Sequence, residues 1–146
     1  MPQTQDNNIQ QGVPFFWVTD IEASIQYYVN GLGFAIANRW IDEGKTRWCW
    51  LQREGAALML QELQEEMYRA DMPSEKKGAG ISIYFICKDA LALYKEFVSK
   101  GVTVSKPFVG NGMWVTSLKD PDGYDLHFES ATDVQEDTMY VEEKHS

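Results

Sequence analysis

Two stretches decide the fold. Val18-Thr19-Asp20 leads through Tyr27-Tyr28 to Gly31-Leu32-Gly33, and Cys87-Lys88-Asp89 leads to Lys100-Gly101-Val102. Asp20 and Asp89 lie 69 positions apart, and each opens a helix-forming run that stops on Gly. After each run come short apolar segments turning at a Gly, at Arg53-Glu54-Gly55 and at Asp120-Pro121-Asp122-Gly123. A self-similar period of this kind marks one supersecondary unit used twice. The unit reads as β-α-β-β-β, which predicts an α+β domain of two tandem modules forming a cupped mixed sheet.

Working outward, Val13–Val18 is apolar and aromatic, as a strand is. Asp20 can cap the first helix by accepting backbone N–H groups, and Ile21, Ile25 and Tyr28 recur at helical spacing. Either Gly31 or Gly33 can end it in a left-handed conformation. Phe34–Trp40, Thr46–Gln52 and Ala56–Glu62 read as strands. In the second module Ile81–Cys87 is a strand, Asp89 a cap and Ala90–Lys100 a helix. Val102–Ser105, Met113–Leu118 and Tyr124–Glu129 read as its remaining strands. Gly110-Asn111-Gly112 is a hairpin turn or a ligand-gating loop. Module one covers 12–62, a link 63–79 with a helical turn at 64–70, and module two 80–130. Residues 1–11 and 131–146 read as polar tails.

Of 146 residues, 44% are apolar and 13% aromatic, enough for a core. No apolar run reaches the roughly 18 residues of a membrane helix, so a membrane role is not expected. Net charge is −9, which argues against nucleic acid, because phosphates are met by Lys and Arg. About half of that charge sits in the tails: residues 13–130 carry 16 acids and 12 bases. The acidic tail reads as a solvated end. Cys49 and Cys87 have no metal or disulfide spacing, and Met1–Gly12 lacks the pattern of a signal peptide. A cytoplasmic setting is the simplest expectation.

With both modules in order, and with Val18-Thr19-Asp20, Tyr27-Tyr28, Gly31-Leu32-Gly33-Phe34 and Asp120-Pro121-Asp122-Gly123-Tyr124 in place, the chain resembles a known family. It is similar over about 12–130 to the vicinal oxygen chelate superfamily of glyoxalase I, bleomycin-resistance proteins and extradiol dioxygenases. The resemblance implies four metal-ligand positions, two on the first strand and two on the last strand of the modules. Counted from the motifs they are Val13, Met59, Ser82 and His127. A divalent cation needs three or four N, O or S donors. Here only His127 is a credible ligand. A slipped register brings Gln61, Glu62 and Glu129 near, but Val13-Pro14-Phe15-Phe16-Trp17 has no donor side chain in any register. No metal and no other cofactor is therefore expected.

Strand alternation sorts the rest. Phe15 and Trp17 share a face with Val13, Tyr84 with Ser82, Glu129 and Asp125 with His127, and Ala57 and Gln61 with Met59. Pro14, Phe16, Val18, Leu58, Leu60, Leu126 and Phe128 fall on the opposite, helix-covered face. The cup side is aromatic with a few polar groups, as ligand pockets are. Its expected ligand contacts are Phe15, Trp17, Trp50, Met59, Ser82, Tyr84 and His127. Trp17, Tyr84 and Trp50 are the first-choice anchors, with Trp17 and Tyr84 taken as matching positions. Trp40, Trp48 and Trp114 add aromatic surface; for any one of them core or dimer-interface packing is the better expectation, while the group as a whole should leave some aromatic surface in the cup.

Three readings follow. In the first, a homodimer of the bleomycin-resistance type binds a small aromatic or cationic molecule, as in antibiotic resistance by sequestration. In the second, the chain is a lyase, isomerase or dioxygenase acting through a displaced metal or through His127 and Glu129. In the third, it is a structural or regulatory dimer with a vestigial cup. The balance falls on the binder rather than the enzyme.

Overall fold

The computed structural model describes residues 7–63 and 78–142. The first module runs β1 (Phe15–Val18), α1 (Ile21–Gln26), a π-helical turn (Tyr27–Gly31), β2 (Ala35–Asp42), β3 (Lys45–Arg53) and β4 (Ala56–Glu62). The second runs β5 (Ser82–Ile86), α2 (Ala90–Ser99), β6 (Phe108–Gly110), β7 (Met113–Lys119) and β8 (Asp125–Ala131). Each module forms a four-stranded sheet, in the orders β1-β4-β3-β2 and β5-β8-β7-β6. The first strand pairs parallel with the last in both, and the other pairings are antiparallel. This is the tandem βαβββ plan that the repeat predicts.

The repeat extends to the caps. Asp20 accepts from the Ala23 N–H at 3.2 Å, and Asp89 from the Ala92 N–H at 3.0 Å. A second cap comes from each module's last strand. Glu62 accepts from the Ile21 N–H at 3.0 Å, and Ser130 Oγ from the Ala90 N–H at 2.8 Å. These bonds satisfy orphan donors of the first turn and tie each helix to the far end of its sheet. Gly33 (φ +79°) and Gly101 (φ +81°) take the left-handed conformation after each helix. Asn111 and Gly112 (φ +54° and +74°) make the tight β6–β7 hairpin turn.

Three expectations need revision. The first helix does not run unbroken to residue 30. It widens after Gln26, and Leu32 N–H bonds Tyr27 O at 3.1 Å, so Tyr28 turns inward and is fully buried. Val102–Ser105 is not a strand. Ser105 N–H reaches Ser117 O at 2.9 Å, but buried Pro107 has no N–H to extend a ladder, and pairing begins at Phe108. The acidic tail is not simply solvated. Residues 132–142 return along β6, with Val109 N–H on Thr138 O and Tyr140 N–H on Pro107 O, both 2.9 Å. Tyr140 packs its ring against Tyr94 and Trp114. The tail thereby covers the exposed β6 edge of the sheet. The helical turn expected at 64–70 lies outside the described residues.

One core serves both modules. Phe16, Val18, Ile25, Tyr28, Leu58 and Leu60 join Phe97, Leu118, Tyr124, Leu126 and Phe128 in a single buried cluster. The helix-side faces of both sheets are thus used up inside the chain, and the alternate residues of both sheets face outward.

Candidate functional site

The outward face of the first sheet is built in cross-strand rows. Trp40, Trp48, Gln61 and Trp17 are successive register partners across β2, β3, β4 and β1. The next row is Asn38, Trp50, Met59 and Phe15. Side chains in register on neighbouring strands stand close enough to touch. Phe15 meets the edge of Trp17 at 5.3 Å between centroids. Phe15 is 41% exposed and Trp40 52%. Cys49, between Trp48 and Trp50, points into the core and is fully buried. This strip is aromatic, with Gln61 and Asn38 as its amides.

The outward face of the second sheet is polar by comparison. Ser117, His127 and Tyr84 form one row, and Val115, Glu129 and Ile86 the next. Tyr84 stacks on His127 at 4.5 Å and 18°. Ser117 Oγ lies 2.7 Å from His127 Nδ1. In a neutral imidazole one nitrogen donates and the other accepts, so Nε2 takes the role opposite to Nδ1. Burial pushes the His127 pKa below its ordinary value, against the pull of Asp125 and Glu129. That shift favours the neutral ring. Ser117 was missed from sequence; counting back the strand pairs from the Asp120–Tyr124 turn would have found it.

The residues expected in the cup fall on these two strips. Phe15, Trp17, Trp50 and Met59 lie on the first sheet, and Ser82, Tyr84, His127 and Glu129 on the second. The pairing corrects one equivalence. Phe15 stands opposite Met59 as Tyr84 stands opposite His127, so Phe15 is the counterpart of Tyr84. Trp17 corresponds to Ile86. Tyr84 (54% exposed) and Ile86 (70% exposed) leave the second strip open in the single chain.

The donor set does not fit a metal of the glyoxalase type. Met59 stands beside Phe15 and His127 beside Tyr84, so the nearest cross-strand neighbours bring rings rather than further strong donors. Among the described residues no three His, Cys, Asp or Glu side chains come together.

A cavity of about 610 Å³ adjoins the second strip at Tyr84 and Ile86, where the β3–β4 hairpin meets β5 and α2. Phe34, Ala56, Phe85, Leu93 and Phe128 give it apolar walls, and Arg53, Lys88 and Glu96 border it. Sequence reading did not anticipate it.

The model of the Glyoxalase/Bleomycin resistance protein/Dioxygenase superfamily matches residues 10–128. Among solved structures, the chain is similar to TnmS3, an antibiotic binding protein from Streptomyces sp. CB03234. The identity is 21%, over 86% of this chain and 99% of that one, with a TM-score of 0.63. It is similar to the bleomycin-binding protein of Streptomyces verticillus complexed with copper(II)-bleomycin, at 17% identity over 87% and 99%, TM-score 0.62. A glyoxalase-related enzyme from Fulvimarina pelagi shares 15% over 91% and 99%, TM-score 0.62. No curated protein matches the chain.

Proposed function

Because the chain belongs to the Glyoxalase/Bleomycin resistance protein/Dioxygenase superfamily, we propose that it binds a small organic molecule, aromatic or cationic, against its outward strips without a catalytic metal. The observation that carries this reading is the row architecture. One strip offers the faces of Trp17, Trp48 and Trp50, and the other the stacked Tyr84–His127 pair with Glu129 beside it. Aromatic faces with a carboxylate nearby suit a flat ligand, and a cationic one better still. That two similar structures are an antibiotic binding protein and a bleomycin-binding protein supports the reading.

The working form is a homodimer in which a second copy covers the strips. The exposed Phe15, Trp40, Ile41, Tyr84 and Ile86 support this, since apolar surface of that extent marks an interaction site. A cytoplasmic setting fits the two free thiols, Cys49 and Cys87. No described helix is long and apolar enough to cross a membrane.

The test is a ligand found by quenching of tryptophan fluorescence and then titrated into variants. Trp17→Ala and Tyr84→Ala each lose on the order of 2 kcal/mol, roughly thirtyfold in affinity. Unchanged affinity in both refutes the reading, as does about one transition metal per chain in elemental analysis.

A second reading has one observation of its own. A neutral His127 held by Ser117 is in the form of a general base, two residues from Glu129 on the same face. In a lyase, isomerase or dioxygenase of this kind His127→Gln abolishes turnover, whereas a binder loses little affinity.

A further inference from the structure

The two modules meet along two seams related by the repeat, and the seams are filled differently. At the first, the β7–β8 turn of module two reaches the β1 edge of module one. Tyr124 lies flat on Phe16, with centroids 4.0 Å apart and planes within 4°. Its hydroxyl donates to Trp17 O at 2.8 Å. At the second, the β3–β4 turn of module one reaches the β5 edge of module two. Strand pairing fixes the counterparts. Leu51 pairs with Leu58 as Leu118 pairs with Leu126, so Ala56 stands where Tyr124 stands. Phe85, opposite Phe128, corresponds to Phe16, opposite Leu60. Ile86 corresponds to Trp17.

The second seam therefore keeps the platform and lacks a counterpart of the Tyr124 ring; Phe85 stacks on Phe128 at 4.9 Å and meets Phe34 edge-on at 6.3 Å. Phe16 is 3% exposed, whereas Phe85 is only partly buried. The 610 Å³ cavity occupies this place, with Ala56, Phe85 and Ile86 in its wall. The polar group that Tyr124 uses is repeated as well. β5 is an edge strand, and the Cys87 N–H bonds Glu129 O at 2.9 Å. Alternate residues of an edge strand direct their carbonyls away from the partner strand, so the Ile86 C=O points outward, as the Trp17 C=O does. The Arg53 charge at the rim is met by a carboxylate. Arg53 grips Glu96 with two bonds of 2.8 and 3.0 Å and donates to Leu32 O at 2.7 Å.

We propose that this crevice, which adjoins the second outward strip at Tyr84 and Ile86, is a second binding site for a neutral phenol-class aromatic. The ring stacks on Phe85 and the hydroxyl donates to the Ile86 carbonyl, in the place that Tyr124 holds at the other seam. The cavity is larger than one phenol ring, so substituents on the ring are accommodated.

The test uses 4-methylphenol, with toluene as the ring without a hydroxyl, titrated into the full chain and followed by backbone-amide NMR. Expected are saturable shifts at Gly55, Ala56, Ile86 and Cys87. Toluene should bind about threefold to tenfold more weakly, the worth of one neutral hydrogen bond. Ala56→Tyr supplies the missing ring and should remove the saturable shifts while melting no lower than the parent. Should that variant not fold, Ala56→Leu fills part of the space and should weaken 4-methylphenol by roughly tenfold. The proposal is overturned by shifts confined to Trp50, Met59 and His127, by equal binding of the two probes, or by undiminished binding to the filled variant.

Discussion

The two seams share a backbone plan and differ in what closes them. One is closed by a five-residue turn that brings Tyr124 onto Phe16 and buries Asp120, which is 4% exposed. Asp120 accepts from Tyr28 Oη at 2.7 Å and from the N–H groups of Asp122 and Tyr124 at 2.9 Å each. Burial raises its pKa and these donors pull it back, with burial the larger effect. The other seam is spanned by a tighter turn, Glu54-Gly55, followed by Ala56, and by the partly exposed Arg53–Glu96 pair. The lesson is that the module plan fixes where two sheets meet, and single side chains at the turns decide whether the meeting is a core or a cavity.

That contrast predicts unequal sensitivities. The largest belongs to Tyr124→Ala, which would give the filled seam the same vacancy that its counterpart has. Loss of a buried, stacked ring should cost about 3–5 kcal/mol in urea unfolding. A cost below about 1 kcal/mol would mean that the two seams are energetically alike, contrary to the packing.

Tyr28→Phe comes next. It keeps the ring and removes one donor from a buried carboxylate, with an expected loss of about 1–3 kcal/mol in the same measurement. A neutral outcome would show that the Asp122 and Tyr124 N–H groups hold Asp120 by themselves.

Smallest is Glu96→Gln at the open seam, at about 1 kcal/mol, because the pair is partly solvated. Its signature is in the pH dependence. Hydrogen bonds from Arg53 hold the Glu96 carboxyl below its ordinary value, against burial. The pair's contribution is therefore fully present above the unfolded value of about 4.3 and is lost as pH falls through the folded pKa. Stability curves of parent and variant should converge in that acid range. Parallel curves would remove the pair from the account of this seam.

How much could be read beforehand differs by kind of feature. Asp20 and Asp89 were legible as caps, and Asn111-Gly112 as a hairpin turn, because both signals are confined to a few residues. Strict alternation in Ala56–Glu62 and Asp125–Ala131 separated the core side chains Leu58, Leu60, Leu126 and Phe128 from outward Met59 and His127. The counterpart of Tyr84 was misjudged, because sequence offers the period but not the strand pairing. Val102–Ser105 looked like a strand because its apolar alternation is right. Whether it pairs depends on Pro107 and on where β7 lies.

By itself the sequence determined the two βαβββ modules, their caps, and the split of each sheet into a buried and an outward face. All of these follow from periodicity and turn chemistry within a module. Only the tertiary structure decided that Tyr124 covers Phe16 while Ala56 leaves Phe85 open, and that Ser117 holds His127. It also decided that an acidic tail returns along β6. The physical reason is range. Helix and strand patterns record which side of an element is dry, whereas contacts such as Tyr124 to Trp17, 107 positions apart, depend on the shapes of surfaces that exist only once both modules are folded.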